Sequence, residues 1–466
     1  MNLTARAFFG ASIVAFATAS CGGNATAPIP NAVMPARGVA PAGESLSHHI
    51  HHVVIVIQEN RTFDNLFATF SGADGTRYGE MKQGSKDVRV RLRAADLVEV
   101  CDYSHSYGNY RRDYDGGKMD GFGLEGGGKR CPGEAGTAVY QYVRPSEIRP
   151  YWDIARTYVL GDHMFQTQGS GSFTAHQDLI AGGTTLEKSK KETDVDYPSH
   201  MPWGCDAPAG TKTSLLVPDG SDFKVELTGG PFPCFKYATL RDLLDAKSIS
   251  WKYYSPPEPY GTGELWDAFD AIHAVRDGPE WKTKVTHQPT VFFSDVANGT
   301  LPQLAWIVPD DVNSDHPGPA SDTGPSWVAS IINAIGESKY WPDTAIVVVW
   351  DDWGGFYDHV PPPFFDEWGG LGFRVPMLVV SAYARKGPLS QGGYVSHTHY
   401  EFGSILKFVE NVWLLGSLGT TDARAKSIGD AFDFAKKPRT FQQIPSKYSR
   451  AYFERQPPSY LPVDSE

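Results

Sequence analysis

The stretch "VVIVIQENRTFDNLF", Val53 to Phe67, decides the fold. Five apolar residues run without interruption and give way at once to Gln-Glu-Asn-Arg. A strand that is apolar on both faces belongs in a sheet covered on both sides, which is typically a parallel sheet. Ligands of such sheets gather at the carboxyl ends of the strands. Glu59 and Asn60 are therefore candidate site residues; the alternative is a polar turn that caps the next helix.

Further strand-like runs follow along the chain. They are Thr157–Phe165 and the segments that begin at Ser250, Leu304, Thr344 and Val375. Between them, apolar residues recur with helical spacing over residues 328–335 and 402–409. Strands that alternate with amphipathic helices indicate an α/β fold, with a mainly parallel sheet sandwiched by helices.

The amino terminus reads as an export signal. Residues 1–20 hold one arginine and an apolar run too short to span a bilayer, which predicts a signal peptide. Cys21 follows small residues, which fits two outcomes. Cys21 is lipidated and tethers the chain to a membrane, or the chain is secreted in the ordinary way. Residues 21–45, rich in Gly, Ala, Pro and Asn, predict a flexible tether. We therefore expect a protein of the periplasm or cell envelope, or a secreted one.

The formal net charge of -12 argues against a nucleic-acid partner, since nonspecific binding needs a basic surface. Beyond Cys21, four cysteines remain: Cys101, Cys131, Cys205 and Cys234. An oxidising compartment allows two disulfides among them, in any of three pairings. The shortest loops join Cys101 to Cys131 and Cys205 to Cys234, but the sequence leaves the pairing open. Residues 185–235 break the strand–helix rhythm and predict an insertion over one end of the sheet, held by cysteines.

The motif "VVVWDDWGGFYDHVPPP" is a second apolar strand that ends in acids, Asp351 and Asp352. Together with Glu59 and Asn60 these residues offer hard oxygen ligands to a divalent cation. Two independent helix caps are the alternative. Because both strands are so apolar, a metal site of unknown metal identity is the favoured interpretation.

Ser172 lies in "GSGSFTAHQ", after a turn and before a predicted helix. The GxSxG nucleophile elbow is absent, since Gly171 takes its middle position. Position alone favours a helix N-cap. The other interpretation is a hydroxyl activated by a metal at a helix terminus that holds an anion.

Several histidines stand beside turn-forming residues. His105 lies in "CDYSHSY", His316 in "SDHPG" and His397 in "VSHTHYEF". Thr398 and Glu401 have the spacing of a capping box, which predicts that His397 stands at the start of a helix. Position alone does not distinguish these rings from structural or exposed histidines.

Taken together, these motifs resemble the bacterial phosphoesterase family of acid phosphatases and phospholipases C without a zinc cage, a branch of the alkaline phosphatase superfamily. The resemblance covers about residues 50 to 415 and makes 46–466 a phosphoesterase catalytic domain of alkaline phosphatase-like fold. It implies that Glu59, Asn60, Asp351 and Asp352 bind a divalent metal ion. It also implies that Ser172 is the nucleophile and touches the metal.

The resemblance further implies that His105 and His316 contact the phosphoryl oxygens or serve the leaving group. His316 is the first candidate for the proton donor, and His397 is carried over as a catalytic residue without an assigned role. The implied activity is metal-dependent hydrolysis of a phosphate monoester through a phosphoserine. The alternatives are a phospholipase C that cleaves a phospholipid at its head group, and a non-catalytic surface binding protein.

Overall fold

The structure is a computed structural model that describes residues 42–128, 130–187, 191–220, 222–257, 263–319, 321–363 and 370–460. The predicted signal peptide and Cys21 lie outside these residues, as does most of the tether. Helix α1 (Ala42–His49) begins before the predicted end of the tether at residue 45. Leu46 on this helix is buried against the core, an apolar anchor that the composition of the segment did not reveal.

The remaining elements follow in chain order. The strands are β1 (His52–Gln58), β2 (Tyr78–Gln83), β3 (Lys86–Arg91), β4 (Arg93–Ala95), β5 (Gly126–Gly127), β6 (Cys131–Glu134), β7 (Gln141–Val143), β8 (Val159–Phe165), β9 (Thr185–Glu187), β10 (Glu192–Val195), β11 (Ser214–Asp219), β12 (Asp222–Glu226), β13 (Trp251–Tyr254), β14 (Val285–Thr286), β15 (Leu304–Ile307), β16 (Thr344–Trp350), β17 (Arg374–Ser381), β18 (Tyr394–Ser396) and β19 (Tyr400–Glu401). The further α-helices are α2 (Phe63–Phe67), α3 (Tyr107–Tyr114), α4 (Arg149–Thr157), α5 (Ser172–Ala181), α6 (Leu240–Ala246), α7 (Gly263–Trp266), α8 (His273–Arg276), α9 (Glu280–Thr283), α10 (Val291–Asn298), α11 (Gly324–Gly336), α12 (Phe402–Trp413), α13 (Thr421–Arg424) and α14 (Arg450–Arg455).

The central sheet has the strand order β14-β13-β15-β1-β16-β17-β8-β18, and β19 continues beside β8. All pairings are parallel except the two that β17 makes with β16 and β8. Every strand-like run of the sequence is found in this sheet. The predicted α/β fold with a mainly parallel sheet is therefore confirmed.

The apolar composition of the two central strands, β1 and β16, follows from their burial. Every residue of β16 is buried, and β1 is buried from Val53 to Gln58. Each fully buried Val or Ile contributes about 1.5–3 kcal/mol relative to an exposed one, which favours apolar residues on both faces. Helix α11 places the apolar residues of its periodic stretch in the same core, as does α12.

The predicted insertion is a separate antiparallel sheet of order β12-β11-β10-β9. The structure joins Cys205 to Cys234 and Cys101 to Cys131, with Cα–Cα distances of 4.5 and 5.5 Å. The disulfide-held insertion is thus confirmed, and the pairing with the shortest loops is the one found. Among the described helices, none combines the length and the apolar character that crossing a bilayer requires.

Candidate functional site

The acids after β1 and β16 meet because the two strands are parallel neighbours in register. Gln58 pairs with Trp350, so the next residues, Glu59 and Asp351, leave the sheet at the same level. The Asp351 N–H donates to the Gln58 carbonyl at 2.9 Å. Glu59, Asp351 and Asp352 are all fully buried. The edge of the sheet therefore concentrates three carboxylates away from water.

Asn60 turns the chain sharply at this edge. Its φ is 56°, in the left-handed region, and its N–H donates to Asp351 Oδ1 at 3.0 Å. Gly354 faces it with a φ of 57°, and a Cβ there would stand 2.5 Å from the Asn60 carbonyl oxygen. A side chain at position 354 would collide with the backbone. The Gly354 N–H also donates to Asp352 Oδ1 at 2.7 Å, which fixes that carboxylate.

Ser172 is the first residue of α5, with Gly171 as its N-cap, so the predicted helix start is found. The hydroxyl of Ser172 donates to Asp352 Oδ2 at 3.1 Å, and the side chain is fully buried. No side-chain cap bond forms at this terminus. Ser172 thus faces the acids of the sheet edge instead of capping its own helix.

His176 belongs to the same centre and was missed as a site residue. It lies one turn after Ser172 on α5, so both side chains share one helix face. Its Nε2 is 2.9 Å from Glu59 Oε1 and 3.8 Å from Asp351 Oδ2. Burial lowers the pKa of His176 to about 4 against the opposing charge of Asp351, so the ring is neutral at neutral pH. The i, i+4 spacing from Ser172 was the signal in the sequence.

His105 and Tyr197 form the other side of the site. The His105 Nδ1 lies 2.7 Å from the Tyr103 carbonyl, which can only accept, so Nδ1 carries the proton. In the neutral ring Nε2 then accepts, from Asn60 Nδ2 at 3.1 Å and from the Tyr197 hydroxyl at 3.2 Å. His105 therefore orients the amide of Asn60.

Tyr197 comes from the insertion, just after β10, and was also missed. Its hydroxyl oxygen accepts from the Ser172 N–H at 3.2 Å. A Cβ on Gly171 would collide with this hydroxyl, so the glycine before the serine makes room for the tyrosine. Nothing in the sequence linked Tyr197 to Ser172, because a loop of the insertion carries it.

His316 stands at the margin of the centre. The Ser314 carbonyl accepts from the Glu59 N–H at 2.8 Å, which holds the His316 segment against the end of β1. The His316 ring lies 5.7 Å from Trp266, whose own ring stacks on His176 at 6.3 Å. Its Nε2 is buried and has no hydrogen-bond partner. Its Nδ1 donates to the Pro317 carbonyl, so Nε2 of the neutral ring can only accept.

The contacts described for His397 place it in a different cluster. Its side chain is 62% exposed, and its Nδ1 bonds Asp162 Oδ2 at 2.8 Å. The predicted capping box of Thr398 and Glu401 is wrong: Glu401 is itself the N-cap of α12 and pairs with Ser404. Thr398 instead bonds Asp430, because β19 (Tyr400–Glu401) intervenes before the helix.

The residues present fit a divalent cation. Glu59, His176 and Asp351 each offer a ligand atom, and these atoms lie within 4.8 Å of one another. Asn60 Oδ1 and Asp351 Oδ2 are buried without a hydrogen-bond partner. Buried carboxylates normally need a partner of positive charge. Oxygen donors with one imidazole suit several divalent metals, so the donor set leaves the metal identity open.

The comparison with known families gives the class of protein, a phosphoric ester hydrolase. The Phosphoesterase family matches residues 50–416, and the chain belongs to that family. The matched range contains the residues of the candidate metal site, Ser172, and the three predicted histidines, His105, His316 and His397.

Curated relatives carry phospholipase C names. "Phospholipase C A" of Mycobacterium tuberculosis is 26% identical over 87% of this chain and 81% of its own length. "Non-specific phospholipase C6" of Arabidopsis thaliana is 31% identical over 86% of this chain and 76% of its own length. "Non-hemolytic phospholipase C" of Burkholderia pseudomallei is 25% identical over 89% of this chain, which spans only 63% of that relative.

Solved structures align as well. A protein in the alkaline phosphatase superfamily from Vibrio parahaemolyticus covers 82% of this chain and 72% of its own, at 10% identity and a TM-score of 0.35.

Proposed function

We propose that the protein hydrolyses phosphate esters through a phosphoserine on Ser172, and that its substrate is the phosphodiester of a phospholipid head group. The observation that carries the reaction is the hydrogen bond from Ser172 Oγ to Asp352 Oδ2 within a buried ring of acids. The phospholipase C names of relatives aligned over most of the chain support the diester. The phosphate monoester predicted from the sequence is the second candidate.

Glu59, Asn60, Asp351, Asp352 and His176 would hold a divalent metal ion. When bound, such an ion offsets the negative charge of the phosphoryl group and lowers the pKa of a nearby hydroxyl. Asp352 orients the Ser172 hydroxyl and takes its proton as Oγ forms the bond to phosphorus. The ester bond to the departing alcohol then breaks.

The departing alkoxide needs a proton, which His316 Nε2 would give from a ring protonated on both nitrogens, since Nδ1 donates to the Pro317 carbonyl. Water subsequently attacks the phosphoserine, which releases the phosphate product and restores the Ser172 hydroxyl. The Tyr197 hydroxyl accepts from the Ser172 N–H and donates to His105, so it would hold the start of α5 beside the reacting group. These roles need no residue outside the described centre.

The test compares hydrolysis of p-nitrophenyl phosphorylcholine, p-nitrophenyl phosphate and phosphatidylcholine vesicles by the wild type and by Ser172→Ala. Removing a catalytic nucleophile costs roughly 10³-fold or more in kcat. Ser330→Ala, which removes another buried serine hydroxyl, is the matched control and keeps full activity. Acid quenching during turnover, followed by mass spectrometry, locates a phosphate on Ser172.

Cleavage of the diesters supports the phospholipase C activity, whereas cleavage of the monoester alone favours the acid phosphatase. Full activity of Ser172→Ala on every substrate contradicts the proposed reaction. Activity in the wild type without a trapped phosphoserine contradicts the covalent step alone.

A further inference from the structure

A cluster of histidines and aspartates lies apart from the candidate centre and shares no residue with it. Asp162 on β8 is fully buried, while His163 beside it is 13% exposed and His397 is 62% exposed. His397 lies between β18 and β19, which both pair with β8. The cluster therefore joins a buried carboxylate to imidazoles that solvent reaches.

The candidate ligand atoms lie close to one another. Asp162 Oδ1 lies 2.7 Å from His163 Nδ1, and Asp162 Oδ2 lies 2.8 Å from His397 Nδ1. One nitrogen from each ring and one Asp162 oxygen lie within 4.8 Å of each other. Two imidazoles and a carboxylate form a common ligand set for zinc, in which an open fourth position takes water.

The second nitrogen of His163 is also held by a carboxylate. His163 Nε2 lies 3.2 Å from Asp74 Oδ2, while Nδ1 faces Asp162. A cation bound at Nδ1 would leave the single N–H of the neutral ring on Nε2, facing Asp74. An N–H donated to a carboxylate behind a metal-binding nitrogen is the usual support of a zinc-bound histidine.

We propose that Asp162, His163 and His397 form a second divalent-cation site with the preferences of zinc, supported by Asp74. Tetrahedral zinc with bonds of about 2.0–2.1 Å holds its ligand atoms about 3.3 Å apart, so the two short nitrogen–oxygen contacts would lengthen by roughly 0.5 Å on binding. The exposed ring of His399 stacks on His163 at 5.0 Å and adds a third imidazole next to the cluster. The ion fastens the segment between β18 and β19 to β8.

The test is a zinc titration of the chelator-treated full chain against a chromophoric zinc indicator. His163→Ala and His397→Gln each bind one zinc ion fewer than the wild type. His200→Ala, which removes an exposed histidine elsewhere, binds as many as the wild type. Two variants keep the test decisive if one of them folds poorly, which circular dichroism reports.

The titration runs without substrate, so its outcome does not depend on the proposed hydrolysis. His51→Ala reports separately on zinc held by the histidines of "HHIHH", residues 48–52. Equal zinc counts and affinities in the wild type, His163→Ala and His397→Gln overturn the proposal. A zinc ion lost from His51→Ala but from neither cluster variant also overturns it.

Discussion

Tyr197→Phe tests whether the insertion contributes to the reaction. The substitution removes one hydroxyl and keeps the ring, so the loop that carries it keeps its packing. The lost contacts are the bond from the Ser172 N–H and the bond to His105 Nε2, both 3.2 Å long. The change therefore acts on the nucleophile and on the ring that orients Asn60.

The magnitude follows from these two contacts. A hydrogen bond between neutral groups contributes about 0.5–1.5 kcal/mol, so the two bonds together contribute about 1–3 kcal/mol. Since about 1.4 kcal/mol corresponds to a factor of ten in rate, we expect kcat/KM to fall roughly 10- to 100-fold. Tyr197 is only partly buried, so we expect the free energy of unfolding to fall by no more than about 1–2 kcal/mol.

The assay measures kcat and KM on p-nitrophenyl phosphorylcholine and on p-nitrophenyl phosphate, with urea unfolding of the same samples. Tyr448→Phe is the matched control, since it removes a hydroxyl bond to Asp322, a residue outside the candidate site. A kcat/KM of Tyr197→Phe within twofold of the wild type on both substrates would refute the reasoning. A loss of activity explained wholly by unfolded protein would refute it equally.

Three further predictions concern the metal, the proton donor and stability. Chelation abolishes hydrolysis, and a divalent metal restores it. Glu59→Gln needs a higher metal concentration than the wild type for half-maximal activity. Activity that does not depend on metal contradicts the proposed metal site. His316→Gln lowers kcat by about 10²- to 10⁴-fold for an alkyl ester. The loss is much smaller for a p-nitrophenyl ester, whose alcohol departs without a proton. Equal losses of kcat on the two esters argue against His316 as the proton donor. Burial opposes the charged form of His359, but its bond to Asp64 and the charges of Asp64 and Asp358 outweigh burial and raise its pKa. That stabilisation is fully present below about pH 6.5, the unfolded value, and is lost as pH rises through the folded pKa. In His359→Gln, the free energy of unfolding measured with urea depends less steeply on pH across this range. A pH dependence equal to that of the wild type contradicts a raised pKa of His359.

The sequence predicted the part of the candidate site that lies at the ends of strands. An apolar run followed by Glu59 and another followed by Asp351 are local patterns, and parallel packing brings their ends together. The turn before a helix drew attention to Ser172, but its position alone favoured a helix N-cap, and only the family resemblance implied a nucleophile. His176 was within reach of the same reasoning, since one helical turn separates it from Ser172.

The remaining parts depend on contacts that no local pattern encodes. Tyr197 reaches Ser172 through the path of an insertion whose residues have no clear period. His397 lies beside a predicted helix start, yet the two-residue strand β19 moves the start of α12 to Phe402. The exposed ring of His397 then turns to Asp162, a partner 235 residues earlier in the chain.

The position of β1 in the sheet governs how the chain can be shortened. Its two neighbours, β15 and β16, are made some 250 to 290 residues later, as the pairings of Val53 with Leu304 and of His52 with Thr344 show. A fragment that ends before β16 leaves one edge of an apolar strand open, which favours association between chains. Fragments truncated from the carboxyl end would therefore lose activity because they aggregate, whether or not a catalytic residue is missing. Point substitutions are the sounder way to map the reaction.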